Sequence, residues 1–307
     1  MTAFDLSNRV AIITGGGTGI GKATARLFAE NGADIVIAGR QVERLQEVAK
    51  SISEDTGRRV IAMQTDVRDE DQVQALVDGA IAEFGKLDIL INNAGGAYMF
   101  PTKDMPPDRF RNSIELNLTS AYLCSRAALP HLLKSDHAAI VSMSSGAGVG
   151  GVKGGAAYSA GKAGLQMFTR VIAAEWGPKG IRANAIAVGG VASEGALRSW
   201  ERFGMDADSM GANVPLRRVG WPIDIANGAL FFVSELSSWI TGQTLSIDGG
   251  PGGMGGLTDD GGCPESRGTS VAIRGEHYAA ARTVVGSAAV WGWACRCSAA
   301  TSWGICL

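Results

Sequence analysis

The stretch Arg9-Val10-Ala11-Ile12-Ile13-Thr14-Gly15-Gly16-Gly17-Thr18-Gly19-Ile20-Gly21 decides the fold. Arg9 to Thr14 is a short apolar, β-branched run that stops at a glycine cluster, and it reads as a buried parallel strand. A helical pattern follows from Lys22 to Glu30. Strand, glycine turn and helix in that order build a phosphate site. The glycines let the backbone approach a pyrophosphate, and the helix N-terminus offers free N–H groups and a partial positive charge. The spacing is Gly-x-x-x-Gly-x-Gly, not the more familiar Gly-x-Gly-x-x-Gly. A glycine-rich turn with no ligand is the competing reading, and the correctly placed strand and helix argue against it.

Asp34 to Ala38 reads as the next strand, ending in Gly39-Arg40. An acidic residue at this strand end would bind a ribose 2′-hydroxyl. Glycine stands there and an arginine follows, which suits a 2′-phosphate. A solvated arginine at a helix start is the other reading of Arg40. Gln41 to Ser53 reads as an amphipathic helix, and Arg59 to Gln64 as a third strand leading into Thr65-Asp66-Val67. Asp66 is placed to reach an adenine amino group or to cap the helix expected over Asp69 to Phe84, and both can hold. Leu87 to Ile91 is a fourth strand, closed by Asn92-Asn93-Ala94-Gly95-Gly96. Small residues and amides at the carboxyl end of a central strand fit the ligand crevice of an open sheet.

Pro106 and Pro107 open a long helix through about Leu133, and its interior holds Asn117. An amide inside a core-facing helix needs a partner. Ala138 to Met143 is a fifth strand, ended by Ser144-Ser145, and a glycine-rich loop runs to Ala156. The next helix, to Trp176, carries Tyr158 and Lys162, one turn apart on one face. A nearby ammonium lowers the pKa of a phenol from its usual ~10, so the group can serve as acid or base near neutrality. Ile181 to Ala187 is a sixth strand, followed by Val188-Gly189-Gly190-Val191-Ala192-Ser193. Glu194 to Asn213 reads as a mobile helical lid over the crevice. Asp224 to Ser234 is a helix, and Gln243 to Ile247 a last strand before Asp248-Gly249-Gly250. This alternation predicts an α/β fold: a doubly wound parallel sheet with right-handed crossovers, in a single domain with a helical lid.

Composition bounds the function. An apolar content of 46% and a charged content of 19% suit a soluble enzyme with a sizeable core. A net charge of −2 points away from nucleic acid. No run of about 18 apolar residues suggests a membrane span, and the first residues lack the apolar core of a secretory signal. Cys124 is the one cysteine before residue 260, which fits a reducing, cytoplasmic setting. His131, His137 and His277 show no ligand spacing, so no metal site is expected.

Together, Thr14-Gly15-x-x-x-Gly19-Ile20-Gly21, Asn92-Asn93-Ala94-Gly95, Asn117, Ser145, Tyr158-x-x-x-Lys162 and Asp248-Gly249-Gly250 resemble the short-chain dehydrogenase/reductase family, from about Phe4 to Gly252. The resemblance implies a Rossmann fold and a nicotinamide-dependent oxidoreductase acting on CH–OH donors. It makes Tyr158 the general acid/base and gives Lys162 the lowering of its pKa and a hold on the nicotinamide ribose. It has Ser145 hydrogen-bond the substrate oxygen and Asn117 anchor a proton-relaying water. Gly15, Ile20, Asp66, Asn93 and Val191 are implied to line the cofactor, with Thr18, Gly19, Gly21, Arg40, Val67, Ala94, Gly95, Tyr158, Lys162 and Ser193 completing the set. Arg40 favours NADP(H), with NAD(H) as the alternative.

The family usually has Pro-Gly after the sixth strand, where Val188-Gly189 stands here, and a freer φ at 188 is expected to loosen that loop. Ser193 replaces the usual Thr and keeps the hydroxyl.

These features support interconversion of a ketone or aldehyde and an alcohol by hydride transfer, on a small, apolar substrate. Two alternatives remain. Ala174-Glu175-Trp176-Gly177-Pro178 and the lid are similar to enoyl- and 2,4-dienoyl-CoA reductases of the same superfamily. A non-catalytic nucleotide sensor or scaffold is the reading of another class. The helices around Asn117 and Tyr158 carry small and apolar residues on several faces (Ala121, Ala127, Ala128, Ala163, Leu165, Phe168 and Ile172), and the resemblance implies a homotetramer or homodimer through them. The catalytic domain is read as residues 1–256. Residues 257–307 match nothing in the pattern and are read as an appended, poorly ordered tail.

Overall fold

The computed structural model describes residues 4–250 apart from 203. The tail marked off above, 257–307, lies outside the described residues. Seven strands form one parallel sheet: β1 (Val10–Thr14), β2 (Asp34–Gly39), β3 (Val60–Gln64), β4 (Ile89–Asn92), β5 (Ala139–Ser145), β6 (Arg182–Val188) and β7 (Thr244–Ile247). Their spatial order is β3-β2-β1-β4-β5-β6-β7. Each strand pairs in parallel with its neighbours.

Strand side chains alternate between two hydrophobic layers. Ala11, Ile13, Ile35, Ile37, Ile89 and Ile91 face one layer, while Ile12, Val36, Ala38 and Leu90 face the other. The first layer is closed by α1 (Gly19–Glu30), α2 (Val42–Thr56) and α10 (Pro222–Val233), through Phe28, Leu45, Ile52 and Phe232. The second is closed by α3 (Glu70–Phe84), α5 (Ser120–Leu132) and α7 (Ala156–Trp176), through Leu76, Cys124 and Ile172. Burial on both faces explains why the strands read as continuous apolar runs. Each fully buried Ile, Leu or Phe contributes roughly 1.5–3 kcal/mol over exposure.

The order of the sheet reverses between β1 and β4, so the crevice opens at their carboxyl ends. One hydroxyl joins the two strand ends there. Thr14 Oγ1 donates to the Ile91 carbonyl (3.2 Å) and accepts the N–H groups of Asn93 and Ala94, both at 3.0 Å. Asn93 Nδ2 returns to the Thr14 and Gly15 carbonyls at 2.8 and 3.2 Å. At the amino ends of β1 and β6, α10 ends on two arginines. Arg9 Nη1 donates to the Val233 carbonyl (2.9 Å) and Arg182 Nη1 to that of Phe232 (2.6 Å), partnering carbonyls that a helix end leaves free.

Several sequence boundaries move. Helix α1 starts at Gly19, inside the glycine cluster rather than at Lys22. Asp69, not Asp66, caps α3, accepting from the N–H groups of Asp71 and Gln72. The long helix after Pro106 is α4 (Pro107–Ile114) and α5 joined by a π segment, Glu115–Thr119. Ser144 and Ser145 belong to β5, and the glycine loop after them contains the short helix α6 (Ala147–Gly150). The lid is two helices, α8 (Glu194–Arg202) and α9 (Ala207–Gly211). Val188, where a freer φ is expected, is the last residue of β6, paired to Ser145 on one side and Ile247 on the other. Among the described residues, no helix is long and apolar enough to cross a membrane.

The glycine turn has no room at Gly21, where a Cβ would lie 2.3 Å from the Gly15 carbonyl oxygen. At Gly195 in α8 a Cβ meets nothing within 4 Å. Gly21→Ala is therefore expected to destabilise the domain by about 1–3 kcal/mol in urea unfolding. Gly195→Ala should be neutral or stabilising by up to about 1 kcal/mol. Equal shifts in the two variants would contradict the tight turn.

Candidate active site

Four elements converge at the carboxyl end of the central strands. Strand β5 supplies Ser145, α7 supplies Tyr158 and Lys162, the π segment supplies Asn117, and the loop after β4 supplies Gly95 and Gly96. Helix α7 approaches the π segment closely because it is glycine at two contact positions. A Cβ on Gly161 would lie 3.2 Å from Asn117 Cβ, and one on Gly164 2.8 Å from Leu118 Cδ2.

The Tyr158 phenol and the Ser145 side chain share a hydrogen bond. Burial raises the pKa of the phenol above its usual value, and the Ser145 bond opposes that rise. The expectation that Lys162 lowers it does not describe this geometry. The ammonium is 5.9 Å from the Tyr158 ring centroid and donates to the Met143 carbonyl of β5 at 2.7 Å. Lys162 is itself buried, and desolvation brings its pKa down to about 8.

Ser145 is held from several directions. Its Oγ accepts the Ala147 N–H (3.2 Å), and its carbonyl accepts from Gln166 Nε2 (3.2 Å). The same Gln166 amide donates to Ser144 Oγ (2.9 Å), which in turn donates to the Lys162 carbonyl (2.9 Å). Gln166 therefore ties the serine strand to the helix of the tyrosine. Its position i+4 from Lys162 is the signal that a sequence reading passes over, since a lone Gln at that spacing is common on helices.

Asn117 is 1% exposed, and its side chain clamps both main-chain polar groups of one residue. Its Nδ2 donates to the Gly96 carbonyl (3.0 Å), while its Oδ1 accepts the Gly96 N–H (3.1 Å). Nδ2 also donates to the Ser113 carbonyl at 3.0 Å. A π turn shifts backbone pairing from i−4 to i−5 and can free a carbonyl. Asn117 stands at i+4 from Ser113 and offers that residue's carbonyl a side-chain donor. The Nδ2 hydrogens are thus taken by Gly96 and Ser113, while Oδ1 accepts one N–H. Gly95 sits between the two polar groups: a Cβ there would meet Asn117 Oδ1 at 2.9 Å and Lys162 Nζ at 3.1 Å.

The glycine turn lies beside this cluster. Gly19 has φ +51°, and its N–H donates to a carboxylate oxygen of Glu194 at 2.6 Å. The turn thus holds an anion at the start of α1, as a diphosphate site requires. Thr18 is the N-cap residue, and its side chain makes no capping bond. Ile20 packs against the first hydrophobic layer. Val67 and Val191 are buried, which leaves their main chains to serve a ligand, and Ala94 packs on the second layer. Ser193 Oγ accepts the Ala196 N–H (3.2 Å) at the start of α8.

At the other end of the crevice Arg40 is exposed beyond β2. Asp66, expected to meet an adenine, is engaged by Arg68 through Nε (2.9 Å) and Nη2 (2.5 Å). That pairing, with a smaller contribution from the Arg40 charge, lowers its pKa to about 2. Arg44, which sequence reasoning did not single out, stands over the turn, with its Cγ 3.7 Å from a Cβ built on Gly17. Among the described residues, no group of three His, Cys, Asp or Glu has the arrangement to hold a metal. A cavity of about 420 Å³ at the amino ends of the strands is lined by Lys86, Asp88, His131 and His137 and by none of the residues above.

Comparison with known proteins places the whole chain rather than the single residues. The family model described as enoyl-(acyl carrier protein) reductase matches residues 15–251. Cis-4-hydroxycyclohexanecarboxylate dehydrogenase of Sinomonas cyclohexanicum is 40% identical over 248 residues, covering 80% of this chain and 96% of that protein. The crystal structure of L-sorbose reductase from Gluconobacter frateurii, complexed with NADPH and L-sorbose, superposes with a TM-score of 0.78 at 31% identity, over 81% of this chain and 98% of the other. A 7α-hydroxysteroid dehydrogenase complexed with NADH and 7-oxo glycochenodeoxycholic acid gives 0.76 at 35% identity, over 81% and 96%. Matched along most of its length by a family model and by relatives of this identity, with the seven-stranded parallel sheet common to them, the chain belongs to the short-chain dehydrogenase/reductase family of oxidoreductases.

Proposed function

We propose that this protein interconverts a ketone or aldehyde and the corresponding alcohol with NADP(H), and that Tyr158 handles the proton. The observation that carries the reading is the Ser145–Tyr158 hydrogen bond, set beside buried Lys162. A phenol whose pKa is raised by burial is protonated at neutral pH and suited to donate to a carbonyl oxygen. Ser145 Oγ is placed to hydrogen-bond the same oxygen as charge develops on it. The residues fit a nicotinamide dinucleotide: Gly19 already presents an N–H to an anion, and Gly21, with no Cβ, lets α1 start directly against the Gly15 carbonyl and keeps the turn tight. When bound, the cofactor supplies the hydride. Lys162 keeps a positive charge beneath the phenol below pH about 8 and loses it above. Asn117 fixes the Gly95-Gly96 backbone that borders Lys162.

Preference for NADP(H) over NAD(H) is supported by Gly39 and Arg40 at the end of β2, with Arg44 one helical turn further on. A guanidinium recognises a 2′-phosphate through charge-assisted hydrogen bonds. The neighbours complexed with NADPH and with NADH show both cofactors in related folds. The 40%-identical dehydrogenase acts on a cyclic hydroxy acid, and this supports a compact, largely apolar alcohol or ketone as substrate.

The second reading, reduction of a conjugated enoyl or 2,4-dienoyl thioester, is favoured by the description of the matching family model. The Ser145–Tyr158 pair suits a carbonyl oxygen better. The catalytic unit is read as residues 1–256, without the tail. Self-association through α5 and α7 is also part of this reading. Ala121, Ala128, Leu165 and Ile172, named above as contact residues, are buried within the subunit. The faces that remain outside carry Tyr122, Met167 and Val171, which are 45%, 55% and 45% exposed, beside Ala163.

Tyr158→Phe is expected to lower kcat for carbonyl reduction by roughly a thousandfold, while calorimetry still detects NADP⁺ binding. Near-native turnover would refute the role of Tyr158. Cofactor binding without turnover on ketone, β-ketoacyl and dienoyl-CoA substrates alike would favour a nucleotide sensor. Arg40→Asp should shift the ratio of NADP⁺ to NAD⁺ dissociation constants at least tenfold towards NAD⁺, and an unchanged ratio would remove Arg40 from recognition. Light scattering on the full chain should give the mass of a dimer or tetramer; a monomer contradicts the α5–α7 interface.

A further inference from the structure

Helix α1 lacks an anionic cap of its own. No acidic residue lies in its first turn, and the Thr18 side chain makes no capping hydrogen bond. Such an end leaves several N–H groups without helical partners and a concentrated partial positive charge. The anion that meets it comes from 175 residues further along the chain, where the Glu194 carboxylate accepts the Gly19 N–H at 2.6 Å. Backbone packing brings the two segments together: a Cβ on Gly19 would lie 3.0 Å from Ser193 Cβ. Glu194 is also the first residue of lid helix α8, and Ser193 caps that helix through its Oγ and carbonyl, which accept from Ala196 (3.2 Å) and Leu197 (2.9 Å). The segment just before it is anchored, since Ala192 N–H donates to the Gly220 carbonyl and Gly220 N–H to that of Gly190, both at 2.8 Å.

We propose that Glu194 is a latch, whose carboxylate holds the diphosphate position on α1 and must leave it for the dinucleotide to bind. The proposal rests on the cofactor reading above and adds a role for a lid residue. Two anions do not share one N–H donor, and a carboxylate beside a diphosphate is repelled. Dinucleotide binding therefore carries the cost of breaking the Gly19–Glu194 bond, and it frees the start of α8. The lid then answers to the cofactor first and to the substrate second.

The test is calorimetric titration of NADP⁺ into the wild-type protein, Glu194→Gln and Glu201→Gln. Glu201 lies on the same lid helix, exposed, so its substitution makes the same change in net charge without touching the latch. Hydrogen exchange of α8 is followed in parallel. Glu194→Gln should bind NADP⁺ roughly two- to fivefold more tightly, the scale of an exposed carboxylate's interaction with a helix terminus. Glu201→Gln should leave the affinity unchanged. Without cofactor, α8 amides should exchange faster in Glu194→Gln than in wild type, and NADP⁺ should remove most of that difference. Equal or weaker binding by Glu194→Gln, or equal tightening by Glu201→Gln, overturns the latch while leaving the cofactor reading intact. If neither wild type nor Glu194→Gln binds NADP⁺ or NAD⁺, the cofactor reading falls and the latch with it.

Discussion

The Thr14 hydroxyl is the constraint on which the rest of the crevice depends. It donates once and accepts twice, and its three partners all lie in the segment that ends β4. Strands β1 and β4 are neighbours in the sheet but their following segments diverge, one into the glycine turn and the other towards Asn117. Backbone N–H groups at such a divergence lose their ladder partners, and an unpaired buried donor costs about 1–3 kcal/mol. One side chain accepts from both amides, of which that of Asn93 also reaches the Ile91 carbonyl at 3.0 Å. In doing so it fixes where the glycine turn sits relative to Gly95 and hence to Lys162.

From that junction the site follows by short steps. Asn93 pins the glycine turn through the Thr14 and Gly15 carbonyls, and Asn117 pins Gly96 from the other side. The second clamp sits in the π segment, where the Asn117 side chain also donates to the Ser113 carbonyl. Gly161 and Gly164 let α7 lie close against the π segment, and Lys162 of the same helix donates to the Met143 carbonyl of β5. Gln166 then connects α7 to the strand residues Ser144 and Ser145. Polar groups are therefore buried in a connected network, which is the condition under which they order a site rather than weaken it.

Much of this was legible in the sequence, and the failures have physical causes. The strands were readable because both faces are buried, giving apolar runs bounded by glycine and amide clusters. Tyr158 and Lys162 were readable as one helical face, and Ser145 and Asn117 come to the same place. The π segment was not legible, because a shift in backbone pairing leaves no mark in residue type. The direction of the Tyr158 pKa was misjudged because helical spacing shows the lysine but not the burial, and here burial dominates. The capping role falls to Asp69 because the Asp66 carboxylate is engaged by Arg68, two residues on, a pairing that residue spacing alone does not reveal. Glu194 was invisible as a partner for Gly19: an exposed glutamate opening a surface helix looks solvated until the fold brings α1 to it.

The central claim is that hydride and proton arrive on the two ends of one carbonyl group, with the proton placed by Tyr158. The most direct measurement follows the label from NADPH deuterated at the transferring position of the nicotinamide, with NMR of the product. The account predicts deuterium on the carbinol carbon of an alcohol whose hydroxyl proton comes from solvent. Deuterium found instead on a carbon of a reduced C=C bond, with the carbonyl intact, would contradict it.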